Sequence, residues 1–421
     1  MKLAAAQLTA AADALAAVLP MTQPADAALH QFFRTHPQLG QSDRAFVAET
    51  VFGVLRRRYA LEHALGDAAT LTPRQLVLAF LNRISGISVR ALEPLLRRDD
   101  AQWLAAGATR PTTVLPFEVA AELPPWLVAR LTSELPRDEI LALGRALAQP
   151  APLDLRVNTL LTTRDEVLAQ LARDNLAAQP TPHSPLGVRL AGKPALNRHP
   201  LVTSGKIEVQ DEGSQLLCFL LAPKRREMVV DFCAGAGGKT LALGALMHSQ
   251  GRLYAFDISE QRLDRLKLRL KRSGLSNVHP QRLRDENDVR VKRLAGKIDR
   301  VLVDAPCSGF GTLRRNPDLK WRQTESGVAE LVTKQRAILA SAATLLKPGG
   351  RLVYATCSFL RAENQEVIAD FLAAHPRFQR LPAGALLAQQ KIALDTGDDL
   401  QLWPQHHGCD GFFAAVMERM A

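Results

Sequence analysis

At 421 residues the chain exceeds one ordinary compact domain, so two or three are expected, and 47% apolar residues suffice to fill their cores. The formal charge of +11 suits a polyanionic partner, because lysine and arginine displace condensed counterions from phosphates, although charge alone does not require nucleic acid. Composition argues against a zinc knuckle or a disulfide scaffold: Cys218, Cys233, Cys307, Cys357 and Cys409 include no CxxC pair, so free thiols in a reducing compartment are expected and no metal site is.

The chain opens Met1-Lys2-Leu3 and continues Ala-rich, but Gln7, Thr9 and Asp13 interrupt any signal-peptide core. No stretch has the length and apolarity of a membrane span, so a soluble cytoplasmic protein is expected. Residues 1–147 read as an all-α module. Phe46, Val47, Val51, Phe52, Val54 and Leu55 share one side of a helix running from Arg44 to Leu65, and shorter helical patterns follow at Arg74–Ile84 and Pro125–Leu135. Gln149-Pro150-Ala151-Pro152 breaks the helices. Residues 150–222 then read as a small α+β module: a strand at Leu153–Val157, a helix opened by a Thr163/Glu166 capping box, and short strands at Val188–Leu190 and Lys206–Val209. Residues 223–421 alternate. Strands are expected at Met228–Asp231, Arg252–Asp257, Ile298–Asp304 and Arg351–Ala355. Helices are expected at Gly238–Met247, Glu260–Arg272, a long one ending near Leu346, and Glu363–Ala373. That order predicts an α/β domain with a doubly wound, mostly parallel sheet. Two late strands follow, Leu400–Trp403 and Phe412–Val416.

A Gly-rich turn, Asp231-Phe232-Cys233-Ala234-Gly235-Ala236-Gly237-Gly238-Lys239-Thr240, lies between the first of those strands and the first helix. Small residues there let the backbone approach a ligand. A triphosphate loop would need glycine at Cys233, and a dinucleotide fingerprint would need glycine or alanine at Thr240. What remains is a methyl-donor site touching a nucleoside and an amino-acid moiety. Asp257, about 20 residues on, is placed to accept from ribose hydroxyls, or else to cap the next helix. Asp285, after an expected third strand, is placed to accept from an adenine amino group, with Asp288 close enough to substitute.

Two cysteines follow two strand ends, in Asp304-Ala305-Pro306-Cys307-Ser308-Gly309 and in Thr356-Cys357-Ser358. Carboxyl ends of parallel strands line the ligand crevice, so both thiols can reach one substrate. Carbon 5 of cytosine is a poor nucleophile, and a thiolate adding to carbon 6 makes it able to attack a sulfonium methyl group. An acid near N3 stabilises the adduct, a role suited to Asp304 if the crevice keeps it protonated.

These residues resemble the Fmu/Sun (RsmB-like) family of RNA cytosine-C5 methyltransferases. Leu155-Arg156-Val157-Asn158, Val209-Gln210-Asp211-Glu212-Gly213-Ser214-Gln215, Arg314-Arg315-Asn316-Pro317-Asp318 and Asp410-Gly411-Phe412-Phe413 also look like its motifs, and the likeness spans roughly residues 150–421. The resemblance implies a Rossmann-like class I methyltransferase domain with an antiparallel C-terminal strand. It implies S-adenosyl-L-methionine as cofactor and RNA, by family ribosomal, as partner. Cys357 would be the nucleophile and Cys307 the thiol assisting release. Cys233, Ala234, Gly235, Ala236, Gly237, Gly238, Lys239, Asp257, Asp285 and Asp304 would line the methyl-donor site. Two departures stand out: Gly235-Ala236 where many members have Ala-Pro, and Glu363-Asn364-Gln365-Glu366, a looser acidic helix start. Leu39–Arg44 and Val54-Leu55-Arg56 make the N-terminal module similar to a NusB-like RNA-binding module.

Arg314, Arg315 and Lys320 directly follow the Cys307 loop and are the favoured RNA contacts, with Trp321 either stacking a base or packing. The basic run Arg262–Arg272 serves phosphates or solvent equally well. A monomer is expected. The rival readings are a non-enzymatic RNA-binding or assembly factor, a DNA cytosine-C5 methyltransferase using Cys307, and, more remotely, a nicotinamide-dependent oxidoreductase.

Overall fold

The computed structural model of the chain describes residues 3–66, 71–108 and 115–421. It divides into two compact units, Met1–Pro150 with Thr312–Glu325, and Ala151–Gly311 with Ser326–Ala421.

The first unit has no strand among its described residues. Leu8, Ala11, Leu15 and Val18 recur at helical spacing along Ala5–Val18 and pack on Val47, Val51 and Val54 of the helix Gln41–Arg56 and on Leu76 and Val77 of Pro73–Ala79. The stretch expected as one helix from Arg44 to Leu65 is two, Gln41–Arg56 and Arg58–Leu65, with Arg57 between them at φ −113° and ψ 15°. No proline or glycine marks this break. Glu122, 2% exposed and distant in sequence, accepts a hydrogen bond from the Ala60 backbone N at 3.2 Å, satisfying a donor that the new helix start leaves open.

The burial of Arg314 and Lys320 bears against the RNA contacts expected of them, and the same carboxylate pairs with Lys320. Lys320 is 2% exposed, donates from Nζ to the Arg56 carbonyl at 2.9 Å and lies 3.9 Å from Glu122 Oε2. Burial pushes its ammonium down to about 8 against the pull of Glu122. Arg314 is also buried, and its carbonyl accepts from Arg56 Nε at 2.9 Å. Neither side chain presents a solvated charge to a phosphate, whereas Arg315 is half-buried. Trp321 packs: its ring stacks on Tyr59 with centroids 5.5 Å apart, beneath the Arg58 guanidinium.

The second unit holds two sheets. Strands β1 (Leu153–Val157), β2 (Ala178–Pro180), β3 (Gly187–Leu190) and β4 (Ile207–Val209) form an antiparallel sheet in the order β2-β3-β1-β4. Leu155 and Val157 face the helix Arg164–Arg173, which starts at the expected Thr163/Glu166 capping box. Asp154 and Arg156 alternate to the other face, where Asp154 holds Arg189 through two bonds of 2.7 and 2.9 Å.

The larger sheet contains β5 (Met228–Asp231), β6 (Arg252–Asp257), β7 (Val278–Arg282), β8 (Ile298–Asp304), β9 (Leu346–Thr356), β10 (Phe378–Leu381), β11 (Leu400–Leu402) and β12 (Phe412–Arg419). Its order is β10-β12-β9-β8-β5-β6-β7, with β11 pairing β12. β5 to β9 run parallel, and β12 joins β9 antiparallel, from Phe413 opposite Thr356 to Glu418 opposite Arg351. The Rossmann-like architecture is therefore as the sequence implies. Successive strands diverge on either side of β5, so the carboxyl ends of β5 and β8 flank the switch point where such sheets bind ligands. Among the elements of this unit that the sequence reading did not give are two strands and a helix. β2 and β10 are short and polar, and the helix Glu212–Leu221 is buried at every position, leaving no polar face to reveal its period. Among the described residues, no helix is long and apolar enough to cross a membrane.

Candidate active site

At the switch point a cleft of about 470 Å³ opens over the carboxyl ends of β5, β6, β8 and β9. Of the residues singled out in the sequence, Cys233, Ala234, Gly235, Ala236, Gly238, Lys239, Asp257, Asp285, Asp304, Cys307 and Cys357 line it. Gly237 does not. A Cβ there would stand 2.1 Å from Leu266 Cδ1, and its φ is +86°, so this glycine serves the packing of the turn on the helix Glu260–Ser273.

The turn is gripped from two sides. Gly235 N donates to Asp257 Oδ2 at 2.9 Å and Ala234 N to the Phe256 carbonyl at 2.8 Å. Arg269 Nη1 donates to the Ala236 carbonyl at 2.8 Å, and Arg156 Nη1 to the Gly238 carbonyl at 2.5 Å. Arg269 is itself held by Glu208 at 2.8 Å, and Arg156 donates to Gln210. Arg156 and Gln210 stood in the sequence as motif members without a role, and Glu208 only as part of a short strand; the fold gives them this one. Ser214, Phe232, Ile258, Arg262, Leu283, Glu286, Lys334 and Ile338 also line the cleft and were missed. Ile258 carried one usable signal, an apolar residue directly after a strand-end acid, and it is 51% exposed.

Asp257 is 6% exposed and accepts from Ser259 N at 2.7 Å as well as from Gly235. The cap of the next helix is Ser259, so Asp257 is a brace of the turn with an edge on the cleft. Asp288 caps its own helix, Val289–Arg293, and accepts from Arg284 N at 2.9 Å, which leaves Asp285 and its neighbour Glu286 as the acids on the cleft after this strand.

Asp231 is 1% exposed; Oδ2 accepts from Thr240 Oγ1 at 2.7 Å, while buried Oδ1 has no hydrogen-bond partner. Burial pushes its carboxyl up to about 7, the Thr240 hydrogen bond and Lys239 opposing and Asp304 and Asp257 adding to it. Since the folded value lies above the unfolded 3.8, the contribution of this group to stability is full below about pH 4 and is lost as pH rises toward 7. At roughly 1.4 kcal/mol per unit this is on the order of 4 kcal/mol. Asp231→Asn is therefore expected to flatten that part of the melting-temperature profile between pH 5 and 8, and an unaltered slope would remove Asp231 as its source.

Lys239 Nζ lies 2.5 Å from Asp304 Oδ2 and 5.7 Å from the Phe412 ring centre. Burial works against the Lys239 ammonium, but Asp304 together with Cys218 and Asp231 outweighs it and the net shift is upward. Asp304 is thus an ion-paired carboxyl, 26% exposed, rather than an isolated acid in an apolar crevice. Cys307 and Cys357 bring their sulfurs to 3.3 Å. The Cys307 thiol is pushed well up by its hydrogen bond with Cys357, by burial, and by the charges of Glu363 and Asp304. Burial does the same to Cys233, with Asp231 and Asp304 adding, so Cys233 faces the cleft as a neutral thiol. Among the described residues, no group of three or more His, Cys, Asp or Glu side chains is arranged to hold a metal ion.

The family profile described as 16S rRNA methyltransferase RsmB/F matches residues 218–418, and one for the RsmF/B-like ferredoxin-like domain matches residues 123–197. A probable ribosomal RNA small subunit methyltransferase B of Synechocystis is 33% identical over 94% of this chain and 95% of its own. Ribosomal RNA small subunit methyltransferase B of Yersinia pseudotuberculosis is 32% identical over 96% of both chains. The crystal structure of PH0851 superposes over 100% of both chains with a TM-score of 0.81 at 27% identity. With near-complete coverage by relatives at this identity, and with the strand-end acids and paired thiols in one cleft, the chain belongs to the RsmB/F family of 16S rRNA methyltransferases.

Proposed function

We propose that this chain transfers a methyl group from S-adenosylmethionine to carbon 5 of a cytosine in small-subunit ribosomal RNA. The observation that carries the reading is the pair of thiols 3.3 Å apart in the same cleft as the Gly-rich turn and the acids Asp231, Asp257 and Asp304. The names of the full-length relatives support the RNA and the subunit. The residues present fit the methyl donor. The unpartnered Asp231 Oδ1 suits the ammonium of an amino-acid moiety, Gly235 leaves open space above the turn, Asp257 suits ribose hydroxyls, and Ile258 and Leu283 supply apolar surface for a base, with Asp285 at its edge. When bound, the donor supplies an electrophilic sulfonium methyl group.

The chain's own groups supply the rest. The Cys357 thiolate adds to carbon 6 of cytosine, forming a C–S bond and moving an electron pair through carbon 5 toward N3, which takes up a proton from water and donates it as a hydrogen bond to the Asp304 carboxylate held by Lys239. Once carbon 5 carries the methyl group its proton passes to water, and the returning electron pair expels Cys357 as a thiolate. The protonated Cys307, 3.3 Å from the leaving sulfur, donates a hydrogen bond to it and so assists that release. Lys239, Arg156 and Arg269 move no proton in this scheme; they hold Asp304 and the turn in place.

Incubating the chain with methyl-labelled S-adenosylmethionine and small-subunit ribosomal RNA from cells lacking this gene should place the label in 5-methylcytidine after nuclease digestion, read by mass spectrometry. Label in a different nucleoside, or in DNA but not RNA, would overturn the assignment.

A further inference from the structure

Glu363 is fully buried in the 3₁₀ turn Arg361–Glu363, and the mechanism above does not use it. Its Oε1 accepts from Ser308 N at 2.7 Å and from Gln335 Nε2 at 3.0 Å; its Oε2 accepts from Ser308 Oγ at 2.5 Å. Ser308 Oγ is also 3.1 Å from Ser358 Oγ. A hydroxyl has one proton, and Ser308 gives it to the carboxylate, so Ser358 is the donor to Ser308. These donors are all neutral, and among the described residues Glu363 joins no ion pair. Burying a carboxylate without a counter-charge is costly, and three hydrogen bonds offset only part of that cost.

The geometry around it is specific. Ser308 follows Cys307, and Gln335 Nε2 also donates to the carbonyl of Pro306, which precedes it, at 2.9 Å. The next residue, Asn364, does the corresponding thing for the other thiol. Thr356 Oγ1 donates to Asn364 Oδ1 at 2.5 Å, and Asn364 Nδ2 donates to the Ser358 carbonyl at 2.9 Å, so both neighbours of Cys357 are tied. Asn364 is fully buried as well.

We propose that Glu363 and Asn364 are positioning residues that together set the two thiols against one another, Glu363 holding the Cys307 loop and Asn364 the Cys357 loop. The carboxylate adds an asymmetry. Its charge bears on Cys307 and favours the protonated thiol there. Of the two cysteines in contact, Cys307 is thereby held as the proton-bearing thiol. This deepens the methyltransferase reading, and its catalytic half rests on that reading.

The test has one arm independent of methyl transfer. Full-length wild type and Glu363→Gln are alkylated with iodoacetamide across pH 6 to 10, and each cysteine is quantified by peptide mass spectrometry. In the variant the Cys307 profile should move at least about one unit toward acid, as expected for removing one buried like charge. Its kcat should fall on the order of tenfold with KM for RNA little changed. Ser308→Ala, which keeps the backbone N–H on Glu363 but loses the hydroxyl bonds to Glu363 and Ser358, should lower kcat severalfold while shifting the Cys307 profile less than Glu363→Gln does. A Cys307 profile that does not move in folded Glu363→Gln overturns the charge asymmetry. An unaltered kcat in Ser308→Ala overturns the clamp, and decides the case if Glu363→Gln does not fold. If the alkylation shift is seen but no variant, wild type included, methylates RNA, the function is wrong and the charge asymmetry stands.

Discussion

Cys357→Ala is expected to lose methyl transfer by roughly four orders of magnitude or more, because the nucleophile makes carbon 5 reactive and no neighbouring group replaces it. Cys307→Ala should behave differently. It retains the thiol that adds to carbon 6 but lacks the partner 3.3 Å away that assists expulsion, so a covalent RNA–protein adduct should accumulate in the presence of S-adenosylmethionine and survive a denaturing gel. The asymmetry rests on three features: the hydrogen bond between the sulfurs, the burial of Cys307, and the acids Glu363 and Asp304 on its side. All three favour Cys307 as the proton-bearing thiol. An adduct in Cys357→Ala alone would exchange the two roles and restore the mechanism in which the Pro-Cys thiol attacks.

The parallel core was legible because its signals are local. Short apolar runs end in Asp231, Asp257 and Asp304, each followed by a turn, and the structure puts strands at those residues. Acids at strand ends and cysteines after strand ends fall at the crevice by topology alone, so much of the lining could be named without coordinates. What stayed hidden depends on partners far along the chain. Arg156 reaches Gly238 across 82 positions, and Glu122 accepts from the first turn of a helix 62 positions away at Ala60. Arg314 and Lys320 misled for the same reason. Two basic residues beside a catalytic loop look like phosphate contacts until the fold shows Arg56 and Glu122 waiting for them inside the helical unit. Glu363 was visible as part of an acidic helix start, but its grip on Ser308, 55 positions earlier, was not.

Asp257→Ala is expected to weaken S-adenosylmethionine binding by about a hundredfold, whereas Asp285→Ala should cost about tenfold or less; titration calorimetry on both variants measures the difference. Hydrogen bonds to a charged acceptor contribute about 1.5–3 kcal/mol when water is excluded and less when it is not. Asp257 is 6% exposed, while the Asp285 side chain is 43% exposed and already faces Arg284 at 3.3 Å. Asp257 also carries a second load. Losing it strips Gly235 N of its acceptor, so the turn that the methyl donor contacts loses a brace at the same moment. Asp257→Asn separates the two effects. An amide offers one acceptor oxygen and one donor nitrogen, and the native carboxylate accepts from Gly235 N on one oxygen and Ser259 N on the other, so the amide must set its NH₂ against one of those N–H groups. It should therefore bind nearly as poorly as the alanine variant. Asn binding at wild-type strength would mean that neither the ribose contact nor the brace depends on the charge at Asp257, and the acid at this strand end would lose its place in the methyl-donor site.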